Sequence, residues 1–234
     1  MKVTILASAK EATKENTQGK TAIVIDVLRA TSVMITALEN GAKRIYPFST
    51  IEETIERSKS SSNFLLSGER NGLKVDGFDL GNSPLDYTPD VVRDKEIFMT
   101  TSNGTRAIEN SKFAKDLFIA SYLNITAITK KILELNNDTV IVCAGTNNEY
   151  SLDDMLCAGL IVKELTKFTT LELPDFSIAA LRIAQLDLPV KKILAGSKHF
   201  EYLKSIGYER DLYYCCSRDN SSLTPKYTNG IIER

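Results

Sequence analysis

The chain has 234 residues, 43% of them hydrophobic and 25% charged, a balance that sets aside a disordered or low-complexity protein. Its Lys and Arg (29) nearly cancel its Asp and Glu (30), which sets aside a nucleic-acid binder that relies on a basic face but leaves room for a local positive pocket. No apolar run approaches the roughly 20 residues that cross a bilayer, and the apolar start before Lys10 is too short for a secretory core, so a soluble, cytoplasmic protein is expected, with no membrane and no nucleic-acid partner.

Taken in chain order, the hydrophobic pattern predicts strands over 3–7 and 22–26, a helix over 31–40, a strand over 44–47 and a helix over 51–60. Strands over 64–67 and 96–100 follow, then a helix over 105–111, a strand over 116–120, a helix over 125–135, a strand over 139–144 and a helix over 152–168. From Pro174 the pattern turns helical, over 176–185 and 198–206, and Thr228-Asn229-Gly230-Ile231-Ile232 reads as a last short strand after an Asn-Gly turn. Alternation at this spacing implies crossover units, a largely parallel or mixed sheet and helices on both faces. No Pro- or Ser-rich linker interrupts it, so one α/β domain over 1–234 is expected, more helical after about residue 150.

In open α/β sheets ligands collect where strands end and helices begin, and three such corners carry chemistry. In "IVIDVLRATS" (23–32) an Asp ends an apolar strand, Arg29 follows, and Thr31 or Ser32 can cap a helix. A turn acid would be a plain structural role for Asp26, but an ionised carboxylate against Ile23, Val24 and Ile25 is costly unless paired or coordinated. In "SNGTRA" (102–107) Asn103-Gly104 is either an ordinary helix start with Thr105 at its cap or a cradle for an anion, with Arg106 as a fork beside it. In "CAGTNNEYSLDDMLCAG" (143–159) Ser151 and Asp154 fit a capping box, which leaves Asp153 unexplained near Asn147, Asn148 and Glu149. A pocket rich in oxygen ligands suits a hard cation such as Mg2+.

A fourth segment, "GERNGLKVDGFDLGNSP" (68–84), holds three turn signals, and Glu69-Arg70 sits just past a strand. Other chemistries drop out. His199 is the single histidine, so neither a phosphohistidine relay nor a multi-His zinc site is available, and it reads as a surface or packing residue. No cysteine opens a C-x5-R loop, Cys143 and Cys157 read as packed, and no Walker A loop occurs. Carboxylates, arginines and small polar loops remain.

Together "VIDVLRATS", "GERNGLKVDGFDLGNSP", "TTSNGTRAI" and "CAGTNNEYSLDDMLCAG", with the later "GYERDLYYCCSRD" (207–219), resemble the 2-phosphosulfolactate phosphatases. The resemblance implies a three-layer αβα fold and Mg2+-dependent hydrolysis of 2-phospho-3-sulfolactate, a step towards coenzyme M. It implies a small, multiply anionic substrate and allows a homodimer. Mg2+ would be held by some of Asp26, Glu69 and Asp153, which are also the candidate catalytic residues. Arg29, Arg70, Ser102, Asn103, Gly104, Thr105 and Arg106 would bind the substrate's anionic groups. Attack by water and attack by a carboxylate such as Asp26 both remain open. An isomerase or lyase acting on a phosphorylated acid, or a non-catalytic anion-binding protein, would use the same cradles.

Overall fold

In a computed structural model that describes residues 1–234, the alternating pattern becomes ten strands and eleven α-helices. The first half runs β1 (Val3–Leu6), α1 (Lys14–Thr17), β2 (Thr21–Ile25), α2 (Ala30–Glu39), β3 (Arg44–Phe48), α3 (Ile51–Ser58), β4 (Phe64–Arg70), β5 (Leu73–Lys74) and α4 (Pro89–Val92). Then come β6 (Glu96–Thr100), α5 (Gly104–Ser111), β7 (Asp116–Ala120), α6 (Ile125–Leu135), β8 (Thr139–Cys143) and α7 (Leu152–Leu165). The helical last third holds α8 (Asp175–Ala184), α9 (Val190–Leu194), α10 (Lys198–Ser205) and α11 (Glu209–Cys215), before the closing pair β9 (Lys226–Thr228) and β10 (Ile231–Glu233).

All ten strands join one sheet in the order β1-β8-β2-β7-β9-β10-β3-β6-β4-β5. β1, β8, β2 and β7 are mutually parallel, as are β3, β6 and β4. Between these blocks stands the β9–β10 hairpin, antiparallel to β7 on one side and to β3 on the other. Three antiparallel contacts in succession make the two blocks run in opposite senses, so the sheet is mixed. The hairpin turns at Asn229-Gly230, both at positive φ, the pairing that a tight two-residue turn requires. The single tail strand expected from the sequence is therefore half of a hairpin.

β2 is buried along its whole length because helices cover both sides of the sheet. Side chains alternate: Ile23 and Ile25 join a core with α6, α7 and α8, while Ala22 and Val24 join a second core with α2 and α5. The result is three layers, helix, sheet and helix. β4 runs three residues further than its apolar pattern indicates, because β5 folds back on Glu69 and Arg70 across Asn71-Gly72. β2 stops at Ile25, which leaves Asp26 at the first position beyond the strand.

Candidate active site

Asp26 is 8% exposed, and the segment after it is tied down by its own side chains. Its Oδ1 accepts from Ala30 N–H at 3.3 Å, the start of α2. The Thr31 hydroxyl donates to the Asp26 carbonyl at 2.8 Å and accepts the Asp26 N–H at 3.0 Å, and Ser32 Oγ donates to the Val27 carbonyl at 2.8 Å. Thr31 and Ser32 are therefore not the helix cap expected from the sequence. They lie inside α2 and bind back to the loop, while the carboxylate itself takes the helix's first N–H. The turn between Asp26 and Arg29 includes a cis Leu28–Arg29 peptide bond.

Gly104 comes so close to this loop that a Cβ there would stand 2.8 Å from Asp26 Oδ2 and 2.7 Å from Ala30 Cβ. A glycine is needed for that approach, and it couples the β6–α5 corner to the β2–α2 corner. Glu69 joins the same corner. Its two carboxylate oxygens accept Ser102 N–H at 2.6 Å and Gly72 N–H at 2.7 Å. At residue 102, where the sequence offered an anion cradle, the backbone N–H is taken by the chain's own Glu69 carboxylate.

The strand geometry of β4 separates Glu69 from its neighbour, because successive side chains point to opposite faces. Arg70 donates instead to Thr100 Oγ1 at 3.0 Å and to the Glu69 carbonyl at 2.7 Å. Thr105 is spent within its own turn, its hydroxyl donating to the Thr101 carbonyl at 3.0 Å and accepting Thr101 N–H at 3.3 Å. Arg106 reaches Asn103 Oδ1 at 3.3 Å. Arg70, Thr105 and Arg106 do not line the cavity described next; Ser102 and Asn103 do.

That cavity has a volume of about 340 Å3, and Asp26, Glu69, Arg29 and Asn82 all line it. The helical last third closes it through α10, which contributes Lys198, His199 and Tyr202. His199 Nε2 lies 2.7 Å from the Leu28 carbonyl, so that nitrogen carries the proton and donates. Tyr202 Oη donates to the Asn71 carbonyl at 2.8 Å. The single histidine thus stands at the site. Burial is the main cause that pushes the Asp26 carboxyl up to about 7; Glu69 and Asp153 add to the rise, while His199 and the Ala30 N–H oppose it.

Asp153 lines a larger adjoining cleft of about 790 Å3, which shares Thr146, Lys198 and His199 with the cavity. Its partner is the Ser151 hydroxyl. The capping box expected at Ser151 and Asp154 does not form. Asp154 turns inward, where its carboxylate accepts Val27 N–H at 2.9 Å and Gly145 N–H at 3.0 Å and so joins the first and third corners. Burial, then Asp153 and Asp26, hold its carboxyl well above the usual range. The four cysteines are free and buried. Burial raises the Cys143 and Cys157 thiols well above their ordinary value, which suits packing rather than nucleophilic attack.

No group of three or more His, Cys, Asp and Glu is arranged to hold a metal ion. Of the three carboxylates expected to supply ligands for Mg2+, Asp26 and Glu69 line one cavity and Asp153 the next. Mg2+ commonly uses only one or two protein carboxylates and completes its shell with waters and phosphate oxygens. Two buried acids in one cavity fit that habit, and they would repel a phosphate unless a cation stood between.

Comparison with known proteins adds a second line. A family model described as 2-phosphosulpholactate phosphatase matches residues 7–230. A probable 2-phosphosulfolactate phosphatase of Clostridium acetobutylicum is 45% identical over 234 residues, covering 99% of this chain and 100% of the relative. One from Clostridium novyi is 42% identical over 228 residues, 97% of each chain, and one from Clostridium tetani is 42% identical over 234 residues, 100% of each.

Proposed function

Because the chain belongs to the 2-phosphosulpholactate phosphatase family, we propose that it is a Mg2+-dependent phosphatase that hydrolyses 2-phospho-3-sulfolactate to 3-sulfolactate and inorganic phosphate. The observation that supports this best is the buried Asp26, at the end of β2, sharing a small cavity with Glu69 and with Lys198 and His199 of α10. About 340 Å3 lies near the low end for ligand sites and suits a three-carbon acid.

Hydrolysis breaks the bond between phosphorus and the C2 oxygen, places a water-derived oxygen on phosphorus, and returns a proton to the departing alkoxide. Asp26 and Glu69 would hold Mg2+, which would supply charge neutralisation and polarisation of the phosphoryl oxygens. The chain's own residues supply position. The Ala30 N–H and the Gly104 approach hold the Asp26 carboxylate still. Ser102 N–H and Gly72 N–H do the same for Glu69. His199 fastens α10 across the 28–29 turn and sets Lys198 at the rim, where an ammonium attracts the anionic substrate. Phosphoryl transfer needs mainly positioning and charge neutralisation, which such a set provides without a thiol nucleophile.

The test is phosphate release from a panel of small phosphorylated acids, after EDTA treatment and again with added Mg2+. Release should require the metal, and Asp26→Asn should lower kcat by two decades or more, about 3 kcal/mol. Full release without metal would remove Mg2+ from the reading. An isomerase or lyase would convert a phosphorylated acid with no inorganic phosphate set free.

A further inference from the structure

Arg29 lies at the cavity but is 1% exposed, and three contacts hold its guanidinium. Nη1 meets Asp211 Oδ2 at 2.5 Å, Nη2 donates to the Gly72 carbonyl at 2.7 Å, and the plane lies over the Tyr208 ring at 3.7 Å. The other Asp211 oxygen accepts from Ser83 Oγ at 2.8 Å. One nitrogen is left out: Arg29 Nε–H is buried with no partner. The residue before Ser83 repeats the pattern, since Asn82 also lines the cavity and its buried Oδ1 has no partner.

Two unpartnered buried polar atoms at one small cavity point to a polar ligand, because such groups are normally paired. An arginine Nε–H can only donate, so the ligand must accept. The carboxamide of Asn82 offers an NH2 after a half turn of its side chain, so it too can serve an acceptor. Asp211 offsets the charge of Arg29, so this corner supplies fixed donors rather than a free positive charge. Asp26 and Glu69, on the same cavity, are acids that repel an oxyanion unless a cation intervenes, and Lys198 stands at the rim.

We propose that Arg29 and Asn82 form the subsite for the substrate's non-transferred acid group, with Asp211 the positioning residue that holds Arg29 in place. The choice of substrate rests on the phosphatase reading above; the subsite does not. Two hydrogen bonds and the stack on Tyr208 fix a planar fork, which explains why a flexible lysine could not take this place.

The experiment measures kcat and KM of the full chain with Mg2+ for 2-phospho-3-sulfolactate, 2-phospholactate and p-nitrophenyl phosphate, and binding of 3-sulfolactate by calorimetry. Asn82→Ala should raise KM for phosphosulfolactate roughly ten- to a hundredfold, the range for one hydrogen bond to a charged group. Asn82→Asp, which sets a like charge against the acid group, should raise it further. In both variants the loss on phosphosulfolactate should exceed the loss on p-nitrophenyl phosphate, which has no second acid. A loss shared with phospholactate assigns the carboxylate to the subsite; a loss confined to phosphosulfolactate assigns the sulfonate. Asp211→Asn should reproduce the KM effect wherever it folds, and the Asn82 variants carry the test if it does not. Proportional losses on all three substrates, or no binding of 3-sulfolactate to the unaltered protein, would overturn the subsite. Binding of 3-sulfolactate that Asn82→Asp weakens, in a protein that releases no phosphate, would keep the subsite and sink the phosphatase.

Discussion

Asp26→Asn should stabilise the metal-free protein at pH 8 while it abolishes turnover. Burial and the nearby acids push the Asp26 carboxyl from an ordinary value of 3.8 up to about 7. A folded-state carboxyl pKa above the unfolded value means the native state holds the proton more tightly. Stability from this group is therefore highest in acid and falls as pH rises from about 4 to about 7. The full difference is about 3 pH units, or about 4 kcal/mol, of which about 2–3 kcal/mol is lost between pH 5 and pH 8. The amide cannot ionise, so its variant escapes that loss, and Glu69 and Asp153 lose a like-charged neighbour as well. Urea unfolding of both proteins in EDTA at pH 5 and pH 8 measures the difference of differences, in which carboxylates common to both largely cancel. A gain of 2 kcal/mol should appear as roughly 4–8 °C in Tm for a chain of this length. A stability difference that stays constant between the two pH values would refute the buried-charge account of Asp26.

Gly104→Ala should cost about 1–3 kcal/mol by overpacking against Ala30 and should lower kcat at least tenfold by moving Asp26; a well-folded, fully active variant would show that the contact yields without consequence. Arg70→Ala should leave KM within about threefold, since its guanidinium is engaged away from the cavity, and a larger rise in a substrate titration would place it at the ligand. Cys143→Ala and Cys157→Ala should each keep kcat within about threefold while losing roughly 0.5–3 kcal/mol of stability. A thousandfold loss in either, without unfolding, would bring a thiol mechanism back.

Much of the architecture can be read from short-range pattern. β-branched runs such as Thr139–Cys143 and amphipathic stretches such as Ile125–Leu135 declare themselves because side-chain burial repeats with the period of the element that makes it. Asp26 was legible for a related reason: a lone carboxylate at the end of Thr21–Ile25 has no packing role there. Asn71-Gly72 and Asn229-Gly230 announced their turns, since few other residues accept positive φ. Glu69 and Arg70, adjacent in the chain, read as arriving at the site together, and only the extension of β4 by β5 decided that they face apart.

Local conformation, and the chemistry available at each strand end, follow from residues close together in the chain. Who meets whom was decided by the tertiary structure. Arg29 finds Asp211, His199 finds Leu28 and Asp154 finds Val27, pairs separated by 182, 171 and 127 positions. Nothing near those residues in the chain encodes the pairing. A periodic pattern records only whether a side chain is buried, and partners so distant are chosen by the packing of α7, α10 and α11 onto the loops that follow the strands. Asp154 shows the difference most plainly. Its neighbours make it a cap, and the fold makes it a bridge between two corners, because two buried N–H groups, Val27 and Gly145, take its carboxylate as their acceptor.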